Sequence, residues 1–312
     1  MTDDGHPDDL VGELGRMAEW IAVATARAPA PDLRPRVLSA ALAARPAGRS
    51  AAGSVSAADR SDAGHDGERA EVHRLVEPYR VQVDELDRLL SGLSQPQWQL
   101  PTGPHRSVRD MMVHLRGNDG PVAAAVGVDP ATLESTSDVR LGWLGQAHTI
   151  IDGAALQSPR LLRMQVDLAG RTPVRGPVRE AMIQRGYETW IHAEDIRTAL
   201  HLPSRTPSAQ QVSDIVGFAL RLLPAAMDAA GRAHAYEAVR VVLTGEGGGT
   251  RLVDLSASSA PGTEVAQLSM SAERFCRLVA GRLTASSANV EIGGDSGAAN
   301  DFLTVAATMG CD

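Results

Sequence analysis

The ten residues Glu188-Thr-Trp-Ile-His192-Ala-Glu-Asp195-Ile-Arg197 decide the reading of this chain. Helical spacing sets Glu188 and His192 one turn apart on a single face, which suits two ligands of one metal ion. A second segment, Ser107-Val-Arg-Asp110-Met-Met-Val-His114-Leu, reads as another amphipathic helix, with Ser107 as N-cap and Asp110 three residues on as the capping-box acid. It carries a histidine among apolar neighbours, so a third ligand can come from across a helical bundle. A set of His114, Glu188 and His192 leaves a coordination position open, as catalytic zinc requires and structural zinc does not. Alone, a Glu-x-x-x-His pair is a weak signal, because a chain with nine histidines and 38 acids yields about one by chance.

Helical periodicity continues on either side. Val72, Leu75, Val76, Tyr79, Val83, Leu86, Leu89 and Leu90 mark a long helix from about Ala70, and further helices are expected at Ser107–Asn118, Leu141–Leu156 and Val178–Leu200. These four make a bundle over residues 70–202, in which ligands project inward from facing helices. His148 on the third helix lacks an acid one turn away and is a poor competitor as ligand. After Pro203 the pattern changes. Residues 210–230 read as helix, 238–244 and 251–255 as strands joined by the glycine-rich turn 245–250, 267–270 and 289–292 as strands, and 271–282 and 294–309 as helices. The glycine run lacks the Lys-Ser/Thr and helix of a phosphate loop and is read as a hairpin. Upstream, residues 1–46 form a helical extension with patterns at about Asp8–Ala26 and Asp32–Ala44, and residues 47–69, poor in anything to bury, read as a flexible linker. The fold class is therefore α+β: a four-helix bundle, then a smaller α+β domain at 203–312.

Composition narrows the function. Of 312 residues 43% are hydrophobic but only 3% aromatic, so the core is aliphatic. A net charge of -8 with no basic stripe argues against nucleic acid as partner. No apolar run approaches the ~20 residues that span a bilayer. The acidic N-terminus lacks a signal-peptide core, which points to the cytoplasm. Cys276 and Cys311 are too few for a disulfide framework or a cysteine zinc site, and Cys276 reads as a buried small hydrophobe. Any reacting thiol is expected to come from a cofactor.

The order Trp98, Pro101-Thr102, Ser107-Val-Arg-Asp110, His114-Leu, Glu188-x-x-x-His192-Ala-x-Asp195 resembles the mycothiol-dependent maleylpyruvate isomerase family, a branch of the DinB-like metal-binding bundles, over roughly residues 70–312. The C-terminal module resembles that family's own and, more loosely, sterol-carrier-like folds. All thirty basic residues are arginine, a bias that resembles the coding habit of GC-rich actinobacteria and fits a mycothiol user. The resemblance implies one zinc per chain on His114, Glu188 and His192, with Asp195 taking a ring N–H or a neighbouring backbone group, and mycothiol as thiol cosubstrate. Its Gly-Arg step falls on Gly281-Arg282 and makes Arg282 the catalytic candidate, a fork for a substrate carboxylate. Where the family has Cys-Pro-Gly-Trp-Thr-Val, this chain has Gly103-Pro-His105-Arg106-Ser107-Val108, so His105 and Arg106 become candidates for binding the cofactor at an altered rim.

The function implied is a zinc- and low-molecular-weight-thiol-dependent isomerase or S-transferase acting on a small, electrophilic, acidic molecule. The alternative is a regulatory module. Residues 31–42 resemble segments of actinobacterial anti-sigma-like proteins, and a protein partner would then bind through residues 8–44, although the His-x-x-x-Cys-x-x-Cys signature of zinc anti-sigma factors is absent.

Overall fold

The computed structural model describes residues 57–127, 138–156, 159–169 and 174–310. The expected N-terminal helices, the docking segment 8–44 and Cys311 lie outside the described residues. Helix α1 (Ala57–Ser91) buries the anticipated stripe of Val72, Leu75, Val76, Tyr79, Val83, Leu86 and Leu90. It begins at Ala57, so residues 57–69, expected as linker, are helical. Ala, Arg and Glu there are good helix formers, and extending an existing helix costs far less than starting one.

Helix α2 (Val108–Ala125) starts as read, with the Ser107 hydroxyl accepting from the Asp110 N–H at 3.0 Å. Helices α3 (Val139–Leu156) and α4 (Val178–Ala199) match their expected spans. Between them lies a short hairpin that periodicity did not reveal, β1 (Gln165–Leu168) against β2 (Val174–Pro177). Strands of four residues are too short to show alternation against a helical background. The four helices and Val166 and Leu168 of the hairpin share one apolar core, with Met111, Met112, Leu115, Trp143 and Ile150 fully buried.

Beyond α4, helix α5 (Ala209–Ala229) is capped by Ser208 and leads to β3 (Glu237–Thr244) and β4 (Gly249–Asp254), the expected glycine-turn hairpin. Strand β5 (Thr263–Ser271) then pairs with β3 in parallel, and β6 (Glu291–Gly294) closes the order β4-β3-β5-β6. Ser271 caps α6 (Ala272–Val279), and Asp295 caps α7 (Ser296–Ala306). Val239, Val241, Leu243, Leu268 and Met270 of the sheet pack on α5, α6 and α7 in a second core, which Tyr187, Trp190 and Ile191 of α4 also enter. Helix and sheet are thus mixed, as the α+β class requires. No helix among the described residues is long and apolar enough to cross a membrane.

Helix α4 contributes to both cores: Ala181, Met182 and Ile196 face the first, and Trp190 faces the second; α5 also reaches the first through Phe218. The Trp190 indole donates to the Arg205 carbonyl at 2.9 Å and lies 5.2 Å beneath the Arg277 guanidinium. Trp190→Ala removes a fully buried ring, a hydrogen bond and a cation–π contact together. We expect a loss of about 3–5 kcal/mol in urea unfolding, the usual cost of deleting a large core aromatic.

Candidate metal centre

Helix α4 is buried around almost its whole circumference and carries Arg185, Glu188, His192, Glu194, Asp195 and Arg197 into the interior. Each must therefore find a partner, because an uncompensated buried charge costs several kcal/mol. Arg185 donates to Glu188 Oε1 at 2.9 Å and stands 3.6 Å from Asp119 of α2. Asp119 accepts from the Tyr79 hydroxyl of α1 at 3.0 Å. Asn118 donates to Glu188 Oε2 at 2.8 Å and lies 3.0 Å from His114 Nε2. Glu194 accepts from the Arg205 N–H and from Arg277, at 3.0 Å each. His192 Nδ1 lies 3.2 Å from Asp195 Oδ2, and Asp195 is gripped by Arg282 through Nε at 3.1 Å and Nη2 at 2.6 Å. Burial pushes the Asp195 carboxyl up, but the hydrogen bonds from His192 and Arg282 outweigh it and hold the group below the usual carboxylate range.

Three imidazoles meet at this point. His114 from α2, His192 from α4 and His105 from the preceding loop each offer one nitrogen within 4.8 Å of the other two, with ring centroids 4.8–5.3 Å apart. His105 is delivered by a tight turn in which Thr102 and His105 exchange both backbone hydrogen bonds, at 3.1 and 3.0 Å, around Gly103-Pro104. Gly103 has φ +52°, and a Cβ there would lie 2.7 Å from Asp195 Oδ2. Only glycine fits, both for its backbone and for the closeness of the carboxylate. Imidazole binds zinc at about 2.0–2.1 Å, which sets tetrahedral ligands about 3.3 Å apart, so nitrogens within 4.8 Å of one another need to close by up to about 1.5 Å. The donor chemistry fits a divalent metal of the zinc class.

The sequence-derived candidates fall in different places. His114 and His192 are brought together, whereas Glu188 stands outside the three-histidine group with its oxygens on Arg185 and Asn118. His105, expected at the rim as a cofactor group, is in the cluster itself. Arg106 is 93% exposed and pairs with Asp110 at 3.6 Å on the surface. His148 is exposed. Arg282 is not in bulk solvent; it walls a cavity of about 410 Å³ together with Gly103, Pro104 and the helix ends at Ala280 and Ala307. Its fork is engaged by Asp195, and its Nη1 donates to the Ala280 carbonyl at 2.7 Å. Cys276 is buried, which pushes its thiol well up and leaves it no role as a nucleophile. Sequence reading missed Asn118, Asp119 and Arg185. The usable signal was spacing: Asn118 is one helical turn from His114, and Arg185 is three residues before Glu188.

Crystal structures supply the comparison. That of a mycothiol-dependent maleylpyruvate isomerase aligns with TM-score 0.50 at 15% identity, over 72% of this chain and 94% of that one. The protein shares that enzyme's fold. A histidine-to-alanine variant of the isomerase aligns over the same shares with TM-score 0.49 at 14% identity. No sequence-family model matches the chain, and no curated protein sequence does. The resemblance read from the motifs is therefore met in the isomerase fold.

The buried network gives a pH signature. Burial pushes the Asp119 carboxyl up to about 6, against the opposing pull of Arg185 and Tyr79. The folded state then binds this proton more tightly than the unfolded chain, so its contribution is full below about pH 4 and is lost as pH rises to about 6. Asp119→Asn removes that titration. Urea-unfolding free energies measured from pH 4 to 7 should show the wild type losing stability relative to the variant across this window.

Proposed function

We propose that the protein is a zinc-dependent enzyme that uses a low-molecular-weight thiol, by resemblance mycothiol, to isomerise or S-transfer a small electrophilic, acidic molecule. The scaffold is read as a DinB-like bundle with a sterol-carrier-like module behind it, at 70–202 and 203–312. The observation that carries the proposal is the convergence of three imidazoles at a turn that also walls a cavity. A zinc ion held there supplies a Lewis-acid position that lowers the pKa of an incoming thiol toward neutrality.

The chain's own residues do the remaining work. Asp195 accepts from His192 Nδ1, which fixes the ring's tautomer and directs Nε2 as the donor. Arg282 holds Asp195 in place, so it acts on the site through His192 while its guanidinium forms one wall of the cavity. Gly103 and Pro104, which precede His105 in the turn, line the same cavity. In a maleylpyruvate-type isomerisation, thiolate adds to one alkene carbon and the electron pair moves onto the conjugated carbonyl. Rotation about the new single bond follows, and the pair returns as the carbon–sulfur bond breaks, giving the trans alkene and free thiolate. The thiol's proton leaves on binding and returns on release, so no oxidant or reductant is consumed. With a leaving group in place of the alkene, the same thiolate gives S-transfer.

Isomerisation of maleylpyruvate, followed by absorbance with and without mycothiol, tests the reading. Turnover should require the thiol, disappear after chelator dialysis and return with zinc. Asp195→Asn should weaken zinc binding by about 10–100-fold, as loss of a histidine's outer partner does elsewhere. Absence of thiol-dependent turnover on cis-alkenoic acids and on displacement substrates alike would sink the proposal.

A further inference from the structure

We infer that the third metal donor in this chain is His105 and that Glu188 is the buried counter-charge of Arg185; this specifies the donor set of the zinc-dependent reading above and rests on it. Three observations converge. The first is position: His105, His114 and His192 present nitrogens within 4.8 Å of one another, and no other group of three or more such side chains is found among the described residues.

The second concerns what Glu188 already does. One carboxylate oxygen takes Arg185 at 2.9 Å and the other takes Asn118 at 2.8 Å. Arg185 is 1% exposed, and its other acidic neighbour, Asp119, is 3.6 Å away. Moving Glu188 to a metal would take from a buried guanidinium its 2.9 Å carboxylate partner, and breaking a buried ion pair is costly. Asn118 also stands between the carboxylate and His114 Nε2, 3.0 Å from the latter.

The third is the construction of the loop. Thr102 and His105 close the turn with two backbone hydrogen bonds, and Gly103 sits where a Cβ would meet Asp195 Oδ2 at 2.7 Å. That same oxygen holds His192 Nδ1. The turn that carries His105 thus packs directly against the carboxylate that orients His192, with no room for a side chain between them. Three neutral imidazoles leave the ion's double positive charge undiminished, so an incoming thiol meets a stronger acidifying field than a carboxylate-bearing set would give.

X-ray absorption of the zinc-loaded full chain, with zinc titrations of His105→Ala and Glu188→Gln, decides the matter. We expect three imidazoles per zinc in the wild type. His105→Ala should weaken zinc binding by more than about 100-fold, beyond the range given by outer partners. Glu188→Gln should keep its zinc and all three imidazoles but melt at lower temperature. Two imidazoles with a carboxylate oxygen in the wild type, or zinc lost from Glu188→Gln and retained by His105→Ala, overturns the inference and leaves a metal-dependent enzyme standing. A wild-type chain that binds no zinc overturns both.

Discussion

Everything in the described body depends on one constraint, the burial of the charged side chains of helix α4. Its six ionisable interior groups are shut away from bulk water, so they pair with one another and with groups from the surrounding elements. Arg185 draws in α2 through Asp119, and α1 through Tyr79 behind it. Glu194 draws in the connection to α5 through Ser204 and Arg205, and α6 through Arg277. Asp195 draws in Arg282, just past α6. Apolar packing supplies the bulk of the stabilisation, but these pairs specify which helix faces which.

The candidate site follows from the same arrangement. A helix burying only apolar residues could rotate against its neighbours with modest penalty. Here a rotation would separate Arg185 from Asp119, Glu194 from Arg277 and Asp195 from Arg282 at once. His192 therefore occupies one position, and the histidine on α2 and the turn before it are arranged around that point. The arginine-only composition suits this role. A planar fork engages both oxygens of one carboxylate, as Arg282 does with Asp195, which a lysine ammonium cannot reproduce.

Much of this was legible in the sequence, and the losses have physical reasons. Helix spans could be read because their apolar residues recur at helical spacing over many turns, and Ser107 and Ser271 announced two of the starts. The β3–β4 hairpin was visible from its glycine turn, whereas the parallel pairing of β3 with β5 was not, because nothing local records which strand a neighbour will choose. His192 stood out by its spacing one turn from Glu188, and His114 by its apolar neighbours. His105 did not, since a loop histidine looks solvated until the Thr102–His105 turn is closed, and the closed turn packs against an Asp195 carboxylate some ninety residues away.

The sharing of α4 between two cores also bears on motion. Where two domains meet through a hinge, a ligand enters as they swing apart. Here the helix that carries His192 also carries Trp190 into the second core and Ile196 into the first. Any rocking of one core against the other would drag that helix and disturb its buried pairs. A molecule that enters the cavity beside the Gly103-Pro104 corner therefore meets a wall, Arg282, that is tied through Asp195 to a helix anchored in both cores.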